Sequence, residues 1–449
     1  EGYIDDVAIY SGVLPAALIE QGSDGLDALS RAANIKSPPQ QVRITSLPVA
    51  AALQQEHVPN QVLIRFKEGV SAADRDQLAG TYGTAAKRNY NFLPIQLLEV
   101  EDGEALAGKI EALRRDEKIL YAQPNYLWYP SETIPDDPRF NELWGLHNLG
   151  QTGGTVDADI DAAEAWDKTQ GSTDIVVAVI DTGIDVAHED LAANMWVNAG
   201  EIPGNGIDDD GNGFIDDVNG YDFFDNDGDP SDGIGHGTHV AGTIGAVGNN
   251  SVGIVGVNFA VKLAALKIFP DANGGAPTAA IVAAIEYATL MNFKVSNNSY
   301  GGPGFDQVIY DAINASKAVE HVFVAAAGND ANDNDGGNPA YPASYDLDNI
   351  IAVAATDADD GMAGFSNFGA TTVDLGAPGV GILSTTPTGG SDLYAPLYDL
   401  SDGTSMASPH VAGAAAMIRA LNASMGYAAV KARILETVDA VPALAGRVL

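Results

Sequence analysis

No cysteine occurs among the 449 residues. That excludes a disulfide framework, cysteine-ligated metal sites and any thiol nucleophile. Positive charge is also scarce: 22 Lys and Arg stand against 61 Asp and Glu, a net charge of −39. Phosphates repel so acidic a surface, so no nucleic acid is expected as partner and anionic membranes are disfavoured. No apolar run reaches the roughly 18 residues that a membrane-spanning helix needs. What is present is 50 glycines and 46% hydrophobic residues, enough to build sizeable cores. The chain opens at Glu1 rather than Met, as a processed product would.

Charge is unevenly spread. Residues 1–57 carry 3 basic and 7 acidic side chains, residues 58–130 carry 9 and 10, and residues 131–449 carry 10 and 44. Such asymmetry predicts separate units with separate tasks. Residues 1–60 read as an N-terminal tail and linker. Within them, residues 1–30 give a short strand, a turn and a helical piece, and resemble the last strand of a laminin-G-like β-sandwich. Residues 31–60 hold Ser37-Pro38-Pro39, Leu47-Pro48 and Val58-Pro59 without periodicity, as linkers do.

Residues 61–130 predict a small α+β sandwich. Val62-Leu63-Ile64-Arg65-Phe66 reads as a strand, and Ser71 offers an N-cap to a helix through Leu78. Residues 94–100 follow as a strand, 103–115 as a helix and 119–122 as a last strand. Residues 131–449 read as α/β. The continuous apolar runs 175–180, 263–268, 322–327 and 350–355 are what parallel strands buried on both faces require. Helical stretches such as 278–291 and 305–319 alternate with them, which predicts βαβ units and a mostly parallel sheet.

Three segments combine reactive side chains with turn or helix-start chemistry. Val179-Ile180-Asp181-Thr182-Gly183-Ile184-Asp185 puts a carboxylate at the C-terminal end of a buried strand, where open α/β sheets place ligands. Gly235-His236-Gly237-Thr238-His239 puts a histidine at the start of a small-residue helix. Gly403-Thr404-Ser405-Met406-Ala407-Ser408-Pro409-His410 puts a serine at another helix start, where backbone N–H groups favour negative charge. Together, in the order Asp…His…Ser, they resemble the subtilisin-like serine proteases, the subtilases, over about residues 134–449. The fold this implies is a three-layer subtilisin-like α/β fold with a mostly parallel sheet, preceded by the small α+β unit.

A serine hydroxyl needs a neighbouring base, and an imidazole titrates near neutrality, which makes His236 the candidate base. Asp181 would hold its tautomer and stabilise the imidazolium. The resemblance makes Ser405 the nucleophile. It gives Asn329, at the end of Val324-Ala325-Ala326-Ala327-Gly328-Asn329, the oxyanion-hole role beside the Ser405 N–H. It further implies that Ser299, Tyr300 and Gly301 line one wall of the first specificity pocket, Ala326, Ala327 and Gly328 the other, and Ala340 its floor. That pattern suggests large apolar side chains before the cleaved bond. Asp185 is the competing acid, and His239 and His410 read as packing residues.

Residues 205–232 hold ten aspartates and no Lys or Arg. Asp208, Asp210, Asn212 and Asp216 follow the first half of an EF-hand-like spacing, though the twelfth position is Asn219 rather than Glu. Asp222, Asp225, Asp227, Asp229 and Asp232 resemble a calcium loop of thermitase-like subtilases. Hard oxygen donors without His or Cys favour Ca²⁺. The family's high-affinity position implies further ligands at Asp137, Asp190 and Asn250, with carbonyls from Val252 and Ile254.

Residues 61–130 resemble the subtilase pro-domain, an intramolecular chaperone and inhibitor. The resemblance places residues 127–130 in the cleft and self-cleavage between about Tyr129 and Thr133. The expectation is therefore a secreted, monomeric, calcium-stabilised serine endopeptidase made as a zymogen, acting on proteins or peptides. A catalytically dead peptide- or calcium-binding relative is the first alternative, weakened by the presence of Asp181, His236, Ser405 and Asn329. An esterase-type α/β hydrolase is the second, weakened by the lack of a Gly-x-Ser-x-Gly elbow at Ser405.

Overall fold

The computed structural model describes residues 48–449 apart from 55–56, 91, 101–105, 128–131 and 273. The strand, turn and helix expected over residues 1–30 lie outside the described residues, as does most of the expected cleavage segment. The chain divides into two units, Glu1–Tyr129 and Pro130–Leu449. No helix among the described residues is long and apolar enough to cross a membrane.

The first unit contains α1 (Val49–Ala52), β1 (His57–Phe66), α2 (Ala72–Thr81), β2 (Thr84–Asn89), β3 (Ile95–Val100), α3 (Leu106–Arg115) and β4 (Ile119–Tyr126). Its strands form one antiparallel sheet in the order β2-β3-β1-β4. Val62, Ile64 and Phe66 alternate along β1 and bury against Ile110 and Leu113 of α3. Two elements differ from the expectation. α1 and the start of β1 fall within the stretch read as linker, because Val49, Ala52 and Leu53 cover the same core. β2, Thr-Ala-Ala-Lys-Arg-Asn, is an edge strand with only Thr84 buried, so it carries no apolar pattern to read.

The second unit contains α4 (Ala162–Ala165), β5 (Gly171–Asp181), β6 (Gly220–Asp222), α5 (His236–Gly245), β7 (Ala260–Lys267), α6 (Thr278–Leu290) and β8 (Val295–Asn298). It continues through α7 (Gln307–Ser316), β9 (Val322–Ala326), β10 (Ile350–Thr356), β11 (Leu375–Pro378), β12 (Ile382–Thr386), β13 (Leu397–Ser401), α8 (Thr404–Leu421) and α9 (Tyr427–Thr437). Seven strands make a parallel sheet in the order β11-β10-β9-β8-β5-β7-β6. All four apolar runs are strands of it. Alternate residues of β5 face opposite ways: Val177 and Val179 pack with Val240 and Ile244 of α5 and Val411 and Ala415 of α8. Ala178 and Ile180 pack with Ile281 and Ile285 of α6 and Ile313 of α7. Helices on both faces of a parallel sheet are the three-layer α/β architecture.

The chain builds β6 and β7 on one side of β5, then crosses to β8 on the other. The C-terminal end of β5 therefore lies at a switch point, where open sheets leave a crevice. β8 escapes an apolar reading because it is Val-Ser-Asn-Asn and yet wholly buried. Its polar groups are paired instead: Asn298 Nδ2 donates to the Val324 carbonyl at 3.1 Å, and Ser408 Oγ donates to Asn297 Oδ1 at 2.8 Å.

Beside β8, His321 is buried, with Nδ1 at 2.8 Å from the Phe293 carbonyl and Nε2 at 2.8 Å from Ser296 Oγ. A carbonyl only accepts, so Nδ1 carries the proton and Nε2 accepts from the hydroxyl. Burial pulls this imidazole down to about 4 from 6.5. The unfolded chain then binds the proton more tightly, so the stabilisation is complete above the unfolded value and is lost as pH falls from 6.5 towards 4. Urea unfolding at pH 8 and pH 5 should show the wild type losing stability relative to His321→Gln, which cannot charge.

Candidate active site

The site starts from a close approach of two backbones. α5 enters so near the turn after β5 that a Cβ on Gly237 would lie 2.0 Å from the Gly183 carbonyl oxygen. Gly235 has φ +104°, and a Cβ there would meet Tyr394 Cδ2 at 2.8 Å. Both glycines beside His236 are thus required by packing, independently of chemistry. The approach brings His236 Nδ1 to 2.7 Å from Asp181 Oδ1. Asp181 is buried at the end of β5, and Oδ1 also accepts the Thr182 N–H at 2.7 Å. Burial lowers the His236 pKa; the charge and hydrogen bond of Asp181, then the charge of Asp232, reverse this and leave it raised.

Ser405 is the second residue of α8. Its Oγ donates to the Ser299 carbonyl at 3.2 Å, and Ser299 Oγ donates back to the Ser405 carbonyl at 2.9 Å. No hydrogen bond joins Ser405 to His236 among the described residues; such contacts commonly tighten only when substrate is bound. Asn329 Oδ1 accepts both the Thr404 N–H and the Thr404 hydroxyl, each at 2.9 Å. Fixing the oxygen turns the amide nitrogen the other way. Asn329 Nδ2 and the Ser405 backbone nitrogen both lie 3.5 Å from the point a Cβ on Gly403 would occupy. These two nitrogens thus lie near one point beside Ser405.

The competing residues are used elsewhere. Asp185 accepts Thr388 N–H at 2.8 Å and Thr388 Oγ at 2.6 Å, holding a loop. His239 is buried with Nε2 near the Ile382 carbonyl, and burial drags its pKa to about 3. His410 Nδ1 donates to the Met406 carbonyl at 2.8 Å.

Among the expected pocket residues, Gly302 and Tyr341 form an antiparallel bridge that ties the segment after Gly301 to the segment after Ala340. The Ala340 Cβ lies 3.3 Å from where a Gly328 Cβ would be. Phe305, Tyr341 and Tyr345 pack as an aromatic cluster beside them. Tyr300 OH donates to Asn298 Oδ1 at 3.1 Å, and Ala326 is buried at the end of β9. The Ala327 methyl packs inward with Ala354 and Val373, its N–H donates to the Val353 carbonyl, and its carbonyl accepts Asn334 Nδ2.

The acidic run sorts into different tasks. Asp208 and Asp210 each bring a carboxylate oxygen within 4.8 Å of Glu201, which lies seven residues before Asp208 and outside the motif. Glu201 Oε1 accepts the Asp209 N–H at 2.9 Å and Oε2 the Asp216 N–H at 3.1 Å. The one available signal was the missing glutamate at the loop's twelfth position, which a carboxylate from outside the motif can replace. Asp216 instead accepts the N–H groups of Asn205 and Gly206, and Asn212 Nδ2 donates to Asp210 and Asp217.

Asp222, Asp225, Asp227, Asp229 and Asp232 do not form a metal-sized group among the described residues. Asp222 pairs with buried Lys267 at 3.1 Å. Asp227 and Asp229 accept local N–H groups, and Asp232 binds the start of α5. Asp222 and Asp232 are thus each met by protein donors.

Asp137 and Asp190 are both buried and share one loop. Asp137 accepts the Asn249 N–H at 2.8 Å, and Asp190 accepts Asn250 Nδ2 at 2.7 Å and the Ile254 N–H at 2.9 Å. Val252 donates its N–H to Asn250 Oδ1 at 2.7 Å. Burial pushes both carboxyl pKa values up, that of Asp190 to about 6, with the Asp137 charge contributing.

Residues 172–447 match the family model described as "Subtilase family", and residues 45–125 match "Fervidolysin N-terminal prodomain". The chain is 36% identical over 364 residues to the thermophilic serine proteinase of Bacillus sp. strain AK1, across 81% of this chain and 78% of that protein. It is 39% identical over 282 residues to thermitase of Thermoactinomyces vulgaris, across 62% of this chain and 86% of that one. Among solved structures, a protease of Pseudoalteromonas arctica PAMC 21717 matches with a TM-score of 0.55 and 29% identity, over 69% of this chain and 94% of that one.

The backbone approach beside His236 is directly testable. Gly237→Ala should cost about 1–3 kcal/mol or more, because the added methyl meets a backbone carbonyl that cannot rotate away. Gly275→Ala, which meets nothing within 4 Å, should change the thermal midpoint little.

Proposed function

Because the chain belongs to the subtilase family of serine proteases and carries an N-terminal prodomain, we propose that it cleaves peptide bonds through Asp181, His236 and Ser405. The observation that carries this reading is the 2.7 Å contact between His236 Nδ1 and Asp181 Oδ1, with Asn329 Nδ2 and the Ser405 N–H gathered at Gly403. Asp181 keeps the His236 proton on Nδ1, which leaves Nε2 free to take the Ser405 proton. Ser405 Oγ then attacks the scissile carbonyl. The negative charge that develops on its oxygen falls between the Asn329 amide and the Ser405 N–H. His236 next gives its proton to the leaving amine, and water hydrolyses the acyl-enzyme by the same sequence in reverse.

Substrate would lie extended between the segments at Ser299–Gly301 and Ala326–Gly328, adding a strand by backbone pairing. The aromatic and small residues around Ala340 favour a large apolar side chain before the cleaved bond. The first unit would inhibit the enzyme until self-cleavage near residues 129–133, and the mature protease would act as a secreted monomer.

The subtilase family is generally calcium-binding, and the donor set here fits that ion. Asp137 and Asp190 are buried oxygen donors, and burial pushes their carboxyls up. Asp137, Asp190 and Asn250 would hold one Ca²⁺; Glu201, Asp208 and Asp210 would hold another. Bound Ca²⁺ would supply the missing positive charge and stabilise the native state by mass action.

Ser405→Ala should abolish peptide hydrolysis and leave the chain full length; processing of the purified variant would refute self-cleavage. Asn329→Ala should lower kcat by ~100–1,000-fold with little change in KM. Without cation, a raised Asp190 pKa gives stability that is complete below 3.8 and lost as pH rises through about 6. In the Ser405→Ala background, chelator should therefore lower the melting temperature more at pH 8 than at pH 5. Asp190→Asn should reduce that difference.

A further inference from the structure

Asp232 is left unexplained by the metal reading and by the three reacting residues. It lies in the loop entering α5, four residues before His236 and half-buried. Its Oδ1 accepts Thr182 Oγ1 at 2.9 Å, the Ile234 N–H at 3.0 Å and the Gly235 N–H at 2.7 Å. Its Oδ2 accepts the Thr238 N–H at 2.8 Å and Thr238 Oγ1 at 2.7 Å. Thr182 is therefore a bridge. Its hydroxyl donates to Asp232 and accepts the Gly237 N–H at 2.8 Å, while its N–H donates to Asp181 Oδ1 at 2.7 Å. One short chain of hydrogen bonds joins both carboxylates and both sides of the His236 backbone.

The electrostatics make this arrangement consequential. His236 is the first residue of α5, and the positive end of a helix disfavours a cation there. Taking the Ser405 proton would create an imidazolium at that place. A carboxylate seated on the N–H groups of Gly235 and Thr238 cancels the positive end and supplies a second negative charge. Asp181 meets His236 from β5 at 2.7 Å; Asp232 lies in the entering loop, His239 three residues further along α5, Tyr394, stacked on His239, in the loop before β13, and Tyr300 in the segment after β8. Of these, only Asp181 and Asp232 act on His236 through charge in the direction that favours the imidazolium.

We propose that Asp232 is a positioning residue of the reaction: it fixes the start of α5 against the Asp181 turn, and its charge stabilises the protonated His236 formed during acylation. This rests on His236 being the general base. The same clamp explains why Thr182 and Thr238 belong to the two motifs that carry Asp181 and His236, although neither hydroxyl faces the nucleophile.

The test is the pH profile of kcat/KM on a peptide substrate for mature wild type, Asp232→Asn and Asp232→Ser. The first variant keeps the shape; the second avoids placing an amide N–H against the Thr238 N–H. Loss of the charge should move the acid limb, which reports His236, to lower pH by about half a unit or more. It should lower kcat about tenfold and leave KM within about twofold. Thr238→Val, which keeps the charge and removes one hydroxyl, should lower the melting temperature and leave the limb in place. An unmoved limb in both neutral variants would overturn the proposal, whatever their melting temperatures, and reduce Asp232 to a helix clamp. Failure of both to fold would count against it in the same way. His236→Ala serves as the control: retained activity there would refute the general base, whereas its loss with an unmoved limb in the Asp232 variants would refute only the role of Asp232.

Discussion

A carboxylate removed from water has to be met by a cation or by several N–H and O–H donors. In residues 131–449, 44 acidic side chains share 10 basic ones. The few cations are spent quickly: Lys267 meets buried Asp222, and Lys431 meets buried Asp374 at 2.7 Å. Buried Asp217 has only neutral donors, Tyr287 OH with Asn198 and Asn212. Asp232 takes five donors from the turn after β5 and the start of α5. Asp137 and Asp190 receive a few amides, and burial keeps their pKa values raised. Burial raises the carboxyl pKa of Asp217 and Asp232 as well, and in each case protein donors lock a turn around the acid.

This constraint reaches the proposed chemistry through α5. The helix is held close to the sheet by glycines on both sides of the contact, and at that range its first turn meets the C-terminal end of β5. Asp232 and Thr182 then fasten the two elements from below, while Asp181 meets His236 from the strand. The arrangement resembles a hinge pin more than a pocket wall. Ser405 arrives from a different helix, α8, and is tied to Ser299 by reciprocal hydrogen bonds. The proposed reacting groups thus come from three elements whose relative positions are set by packing across the central sheet.

Much of this was legible in one dimension. The four apolar runs read as parallel strands because burial on both faces leaves no place for a polar alternation. The glycines around His236 and Ser405 mark backbones that must approach closely. β8 was hidden, because its asparagines and serine are buried by hydrogen bonds rather than by hydrophobicity. β2 was hidden for the opposite reason, as an exposed edge strand. α1 was masked by prolines that suggested a linker, although Val49, Ala52 and Leu53 complete a core.

Local composition by itself determined the layer class, the family resemblance and the residue types available for reaction, since each depends on periodicity or on a short contiguous motif. Which carboxylates serve which purpose was decided only by the tertiary structure. Ten aspartates within residues 205–232 look equivalent in sequence, yet Asp222 meets Lys267, Asp232 clamps α5, and Asp208 and Asp210 turn towards Glu201. Their partners lie on other elements, brought near by folding, and electrostatic pairing depends on distance in space. The scarcity of positive charge was plain from the start, but the fold chose which acids would go without it.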